Sequence, residues 1–225
     1  MDGIYPTTVT AAMGFLLPAV VAVLSYLLGC VNGAIATSHL CYHDDVRRHG
    51  SGNAGLTNFY RTYGAKCALM VIAFDMLKAL GAVWLGGRFL GVLLGWGVAG
   101  KYFAALFCVI GHMFPIFYAF KGGKGILCSG TLLLLLDWRI ALVGWGVFAA
   151  LWLTTRYVSL GSVAAAASFP FMTYFIFRDA VTTALGTCIA LLVLWAHRSN
   201  IKRLLNGTES KFHFHVNATK PGEDQ

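Results

Sequence analysis

The sequence predicts an all-α integral membrane protein, a compact bundle of about seven transmembrane helices. Three observations predict it. Hydrophobic residues make up 58% of the 225 positions. Charged residues make up only 12%, about half the share found in soluble domains and too few to cover a water-facing surface. The apolar residues also run in long blocks, such as 13–36 and 182–196, close to the ~20 residues a helix needs to cross hydrocarbon.

The first candidate span is 12–37. No Lys or Arg precedes it, and it is longer than a signal-peptide core of roughly 7–15 residues, so it reads as a retained membrane helix. The second, 66–86, holds Asp75 and Lys78 at i, i+3. Charges inside a membrane helix are unfavourable, so the two are expected to pair or to face the protein interior. The third, 90–119, is too long for one straight crossing and contains Lys101, Gly111 and Pro115. It reads as tilted, or as a helix plus a broken piece, with the break near His112 and Pro115. The fourth, 126–137, is short and predicts a partial or steeply packed span. Candidates at 139–154, 158–177 and 180–197 complete seven. Residues 1–204 are read as a single membrane domain and 205–225 as a polar cytoplasmic tail with frayed ends.

Charge sets the expected orientation. With seven spans and the N-terminus outside, the cytoplasmic connections are 38–65, 120–125, 155–157 and the chain after 197. With flanking Lys66 they hold Arg47, Arg48, Arg61, Lys121, Lys124, Arg156, Arg198, Lys202, Arg203, Lys211 and Lys220. The opposite connections hold Arg88, Arg139 and Arg178. Basic residues concentrate on the cytoplasmic side. A net charge of +8 on a soluble chain would suggest nucleic acid. No basic run is interleaved with aromatics for base stacking, so the charge reads as orientation plus an anionic ligand, with no nucleic-acid partner.

The six cysteines form no CxxC and mostly lie in or beside apolar blocks. They read as small buried hydrophobes, with no disulfide framework and no metal site.

Four polar clusters fall together on the cytoplasmic side of this topology. In the first, 50–61, glycines at 50, 52 and 55 allow close backbone approach and an anion nest. Ser51, Asn53, Thr57 and Asn58 add neutral donors there, and Arg61 adds a guanidinium suited to phosphate. The second, Lys121-Gly-Gly-Lys124-Gly125, opens an apolar run. A helix from Ile126 would place these glycines and Lys124 at its positive N-terminal end, which favours an anion. The third is 155–159, with Ser159. The fourth places His197, Asn200 and Arg203 three apart on one helical face. An ordinary polar turn, a positive-inside anchor, a helix-bonded hydroxyl or a snorkelling helix end would explain each cluster singly; their convergence on one side favours one site. His39 and Asp44 also fit an HxxxxD spacing, a weak signal because its companion blocks are missing.

Together the clusters resemble the PlsY family of acyl-phosphate:glycerol-3-phosphate acyltransferases, bacterial membrane proteins. The matching blocks are GSGNAGLTNFYR at 50–61, GHMFPIFYAFKGGKG at 111–125, TRYVSL at 155–160 and HRSNIKRLLNGTE at 197–209. The ordered set is far more specific than any one block. The resemblance implies a seven-helix enzyme of the bacterial inner membrane with its site at the cytoplasmic face. It implies acyl transfer from acyl phosphate to the 1-hydroxyl of glycerol 3-phosphate, the first step of phospholipid synthesis, with no metal or cofactor. By position, Ser51, His197 and Asn200 are the expected catalytic residues. Asn53, Thr57, Asn58, Arg61, Lys124 and Ser159 are the expected substrate-binding residues. The expected partners are glycerol 3-phosphate, acyl phosphate and membrane lipid, with the chain a monomer. Leu56, the Gly29-Cys30-Val31-Asn32 segment and Ile126-Leu127-Cys128 depart from the family's usual pattern, all at packing scale beside the site.

The chemistry suits these residues. Acyl phosphate carries a good leaving group, and bringing two phosphate-bearing molecules together is mainly an electrostatic task for Arg61 and Lys124. Direct attack is expected, with a substrate phosphate oxygen taking the hydroxyl proton and no acyl-enzyme; general-base catalysis by His197 is the rival. A transporter for a phosphorylated solute is the other functional class, since half-helix N-termini also face anions there. One-sided clusters and the absence of an internal repeat weigh against it.

Overall fold

The computed structural model describes residues 7–212. They form ten α-helices joined by short turns, with no strand among the described residues. α1 (Thr7–Cys30) ends earlier than its apolar block suggests. Asn32 is the reason. Its side-chain oxygen accepts from the Ile35 N–H and caps a separate helix, α2 (Gly33–Tyr42), while its amide donates to the Ala54 carbonyl at 3.1 Å. A capping side chain offers the backbone an alternative to a continuous helix.

α3 (Leu56–Tyr63) is short and lies in the polar loop region, followed by α4 (Ala68–Leu85), which runs on as a π-helical segment, Gly86–Leu93. Residues 90–93, expected to open the third span, therefore finish the second, and 94–97 form the turn before the third. The third helix proper is α5 (Val98–Met113), and the break near Pro115 is a 3₁₀ turn at Ile116–Tyr118. α6 (Ile126–Leu136), α7 (Trp138–Thr155), α8 (Val158–Phe177), α9 (Ala180–Ala196) and α10 (Arg198–Leu205) follow. Among the described residues five helices are long and apolar enough to cross a membrane, or six if α9 and α10 form one span bent by 58°. α6 has 11 residues. At 1.5 Å per residue it covers about 16 Å, half of the ~30 Å hydrocarbon thickness. The count of about seven holds only with this half-span included.

α5 is the hub, packed against α1, α4, α6 and α9. Its crossing with α1 is close because a Cβ at Gly29 would run into the Cys108 carbonyl and one at Gly111 into the Tyr26 carbonyl. Small residues at such crossings let backbones approach in lipid. Asp75 and Lys78 pair at 2.7 Å, each side chain 2% exposed. Lys78 also donates to the Val31 carbonyl at 3.0 Å and to His112 Nδ1 at 2.6 Å, and Asp75 accepts from the Gly33 N–H at 3.2 Å. The interior pairing expected for these charges is thus a cluster that ties the α1–α2 break to α4 and α5. Arg88, Lys101, Arg139 and Arg178 lie toward one end of the bundle, and the polar clusters gather at the other.

Candidate active site

The glycine loop at 50–55 is shaped by Asn58. Gly50 and Gly52 take φ of +55° and +69°, a region glycine enters without strain. The Asn58 oxygen accepts from the Ser51 N–H at 2.9 Å, and its amide donates to the Val46 and His49 carbonyls at 3.1 and 3.0 Å. Asn58 was expected as a substrate-binding donor. Its side chain is instead fully engaged in holding the loop. The HxxxxD spacing forms no dyad: Asp44 contacts His49 Nε2 at 2.6 Å and the Tyr63 hydroxyl at 2.9 Å, not His39.

The second glycine loop folds back over the end of α5. The Gly122 N–H donates to the Met113 carbonyl and the Gly123 N–H to the His112 carbonyl, at 3.1 and 3.2 Å. A Cβ at Gly122 would meet the His112 carbonyl; one at Gly123 would meet the Ala54 carbonyl and the His112 ring. The two glycine loops therefore touch at Gly123 and Ala54. Gly125 then caps α6 with φ of +79°. Lys124 stands at the N-terminal end of that helix, where the dipole favours an anion.

Lys124 Nζ donates to Asn200 Oδ1 at 2.6 Å. The Asn200 amide donates to Glu209 Oε1 at 2.7 Å, and Arg203 Nε donates to Glu209 Oε2 at 2.7 Å. The Ser159 hydroxyl is buried beside the Glu209 carboxylate. His197, 3% exposed, directs Nδ1 at the Val193 carbonyl at 2.8 Å. A carbonyl only accepts, so Nδ1 carries the proton and Nε2 of the neutral ring is an acceptor. Arg61 is solvent-exposed, and its guanidinium has no hydrogen-bond partner among the described residues.

Burial lowers the Lys124 pKa, and the Arg203 and Arg61 charges lower it further against the opposing pull of Glu209. Burial alone would raise the Glu209 carboxyl, but contacts from Asn200, Ser159 and Arg203 outweigh it and hold the group below the usual range. Glu209 is thus an ionised anchor for Asn200 and Arg203.

Glu209 is a residue of the cavity head to which the sequence assigns no role. The available signal was that no other carboxylate occurs between Asp179 and Glu209, so a basic helix was followed by one lone acid. The chain after 205 was expected to fray. Its described part instead returns to the site, and the Phe212 N–H donates to the Arg156 carbonyl at 2.9 Å. Residues 213–225 of that expected tail lie outside the described residues.

A cavity of about 890 Å³ joins these groups, within the range of small-molecule sites. Ser51, Asn53, Thr57, Asn58, Arg61, Lys124, Ser159, His197 and Asn200 all line it. Its other end is apolar, walled by Leu133, Leu136, Phe148, Phe169, Ile189 and others from α6–α9. The cavity thus has a cationic head and a hydrocarbon-like tail. Among the described residues no group of His, Cys, Asp and Glu is placed to hold a metal ion.

A family profile described as Glycerol-3-phosphate acyltransferase matches residues 19–207. A glycerol-3-phosphate acyltransferase of Finegoldia magna is 38% identical over 200 residues, covering 88% of this chain and 98% of that protein. Glycerol-3-phosphate acyltransferase 2 of Bacillus anthracis is 38% identical over 189 residues, covering 84% and 96%. The fold is similar to crystal structures of PlsY (YgiH), an integral membrane glycerol 3-phosphate acyltransferase. For its glycerol 3-phosphate form the TM-score is 0.77 at 31% identity, covering 87% of this chain and 96% of that one. For its lysophosphatidic acid form the TM-score is 0.75 at 30% identity, covering 88% and 96%. A head-and-tail cavity in a bundle of apolar helices, sequence identity along most of the chain and a shared fold lead to one conclusion: this chain is an integral membrane acyltransferase and belongs to the PlsY family of glycerol-3-phosphate acyltransferases.

Proposed function

We propose that this chain transfers a fatty acyl group from acyl phosphate to the 1-hydroxyl of glycerol 3-phosphate, giving 1-acylglycerol 3-phosphate and inorganic phosphate. The observation that carries this reading is the two-part cavity, in which an apolar tail leads to a head of Arg61, Lys124 and two glycine loops. A fatty chain fits the first part and phosphate oxygens the second. Arg61 and Lys124 offset the repulsion between the two phosphates, and the loop N–H groups add donors. The Asn200 oxygen aims Lys124. His197 Nε2 accepts a hydrogen bond from the 2-hydroxyl of glycerol 3-phosphate and so orients the attacking 1-hydroxyl, whose own proton stays directed at a phosphate oxygen. Ser51, Asn53 and Thr57 contact the polar head of the substrates, and Ser159 supports Glu209 from the wall.

The hydroxyl oxygen attacks the acyl carbon, the new ester C–O bond forms, and the C–O bond to phosphate breaks. The hydroxyl proton leaves on a phosphate oxygen. Direct transfer is favoured over an acyl-enzyme because no base is hydrogen-bonded to the Ser51 hydroxyl among the described residues, and both cavity-lining carboxylates are engaged, Glu209 by Asn200 and Arg203 and Asp75 by Lys78. The bias of Lys and Arg toward the site end of the bundle supports a cytoplasmic site and an outside N-terminus in a bacterial inner membrane.

Phosphate release from palmitoyl phosphate by the purified protein in detergent tests the proposal, with acyl-CoA and acyl carrier protein donors run in parallel. Release that requires both palmitoyl phosphate and glycerol 3-phosphate is expected. Ester formation from acyl-CoA alone would overturn the donor assignment. Solute uptake into sealed vesicles without ester formation would overturn the enzyme reading.

A further inference from the structure

The buried cluster of Asp75, Lys78 and His112 has no part in the chemistry above, yet His112 lines the substrate cavity. Lys78 is an ammonium with donors only. Its Nζ lies within hydrogen-bonding distance of four groups, Asp75 Oδ1 at 2.7 Å, His112 Nδ1 at 2.6 Å and the Val31 and Gly29 carbonyls at 3.0 and 3.4 Å. Nδ1 must therefore be the acceptor, and the proton of a neutral His112 ring sits on Nε2. The Nε2 edge lies against the second glycine loop, in contact range of Gly123 and Gly125. Nε2 has no hydrogen-bond partner among the described residues, yet it is not fully enclosed as the unpaired oxygens of Ser25, Thr37, Tyr42 and Ser129 are. A donor left unpaired in so buried a cluster is unfavourable; a ligand oxygen in the cavity would satisfy it.

We propose that His112 is a further substrate-contacting residue, a neutral Nε2–H donor held in that tautomer by Lys78 and Asp75 and directed at an anionic oxygen of the phosphate-bearing substrate beside the Lys124 loop. Lys78 and Asp75 act through His112 and are positioning residues. His112 thus differs from His197, a second lining residue, whose Nδ1 donates to a carbonyl and whose Nε2 is left as an acceptor. The two rings present opposite hydrogen-bonding edges to one cavity, a donor and an acceptor. This assignment rests on the acyl-transfer reading of the cavity.

Two variants separate contact from scaffolding. H112N keeps an amide oxygen where Nδ1 receives Lys78 and has nothing at the Nε2 position. H112Q restores an N–H near the Nε2 position and gives up the Lys78 acceptor. The expected result is an inverted ranking. H112N is the more stable in detergent but loses about 10- to 100-fold in kcat/KM, as for a hydrogen bond to a charged group. H112Q is less stable yet more active per folded molecule. A purely structural histidine would make H112N the better of the two in both measurements, and that outcome would overturn the proposal. If H112N does not fold, ¹⁵N-histidine spectra of the wild-type protein decide. The Nε2–H signal absent from H112Q is expected to shift as glycerol 3-phosphate saturates the site; no shift at saturation refutes the contact. A wild-type protein that binds glycerol 3-phosphate with this shift but releases no phosphate from palmitoyl phosphate would refute the donor assignment and leave His112 in place.

Discussion

Asn200 is the joint between the two charges of the cavity head, and N200A is the sharpest perturbation of the site. Asn200 is 7% exposed. Its oxygen receives Lys124 at 2.6 Å and its amide meets Glu209 at 2.7 Å. Each is a hydrogen bond to a charged group, worth about 1.5–3 kcal/mol. The two losses do not add fully, because both charged partners line a cavity that water can enter in the variant. A net effect of about 2–3 kcal/mol follows, on transition-state binding as well as on stability, since Lys124 is no longer aimed. At 1.36 kcal/mol per tenfold, kcat/KM falls by about 30- to 150-fold. The assay is phosphate release at varied glycerol 3-phosphate, normalised to folded protein by thermal unfolding in detergent. If N200A stays within threefold of wild type in kcat/KM while still folded, Lys124 is not aimed by Asn200 and the joint has no functional weight.

The remaining predictions concern the same head and the cluster behind it. H197Q is expected to lower kcat without removing a titrating limb from its pH profile; loss of such a limb would show that His197, not a phosphate oxygen, takes the proton. Because Lys124 has a folded pKa below its ordinary 10.5, its charge is lost as pH rises through that lower value. KM for glycerol 3-phosphate is therefore expected to climb on the alkaline side before pH 10.5. K124R, charged throughout, should flatten that climb. D75N or K78M alone leaves a buried charge without its partner and is expected to destabilise the protein by about 3–5 kcal/mol. The double variant D75N/K78M should unfold later than either single, read by thermal unfolding in detergent. G123A forces a Cβ between the Ala54 carbonyl and the His112 ring, so it is expected to lose at least about tenfold in kcat/KM with its helices intact by circular dichroism.

The sequence by itself determined the membrane class, the approximate place of most spans, and the gathering of the four polar clusters at one end of the bundle. The reason is that spanning is a sum of hydropathy over about 20 neighbouring residues and sidedness follows from counting crossings; both are one-dimensional quantities. The tertiary structure alone decided what each polar side chain touches. Asn58 looks like a ligand donor in its motif, yet its three hydrogen bonds hold the glycine loop. Asn32 lies inside an apolar block, and only its contact with Ala54, 22 residues on, shows why the helix stops there. Lys124 meets Asn200 across 76 residues and Lys78 meets His112 across 34. Glu209 lies in polar chain that no hydropathy window marks, and it joins the site because the Asn200 amide and the Arg203 guanidinium offer donors that a carboxylate accepts from. Such pairings are set by how whole helices pack, and local sequence holds no record of the partner.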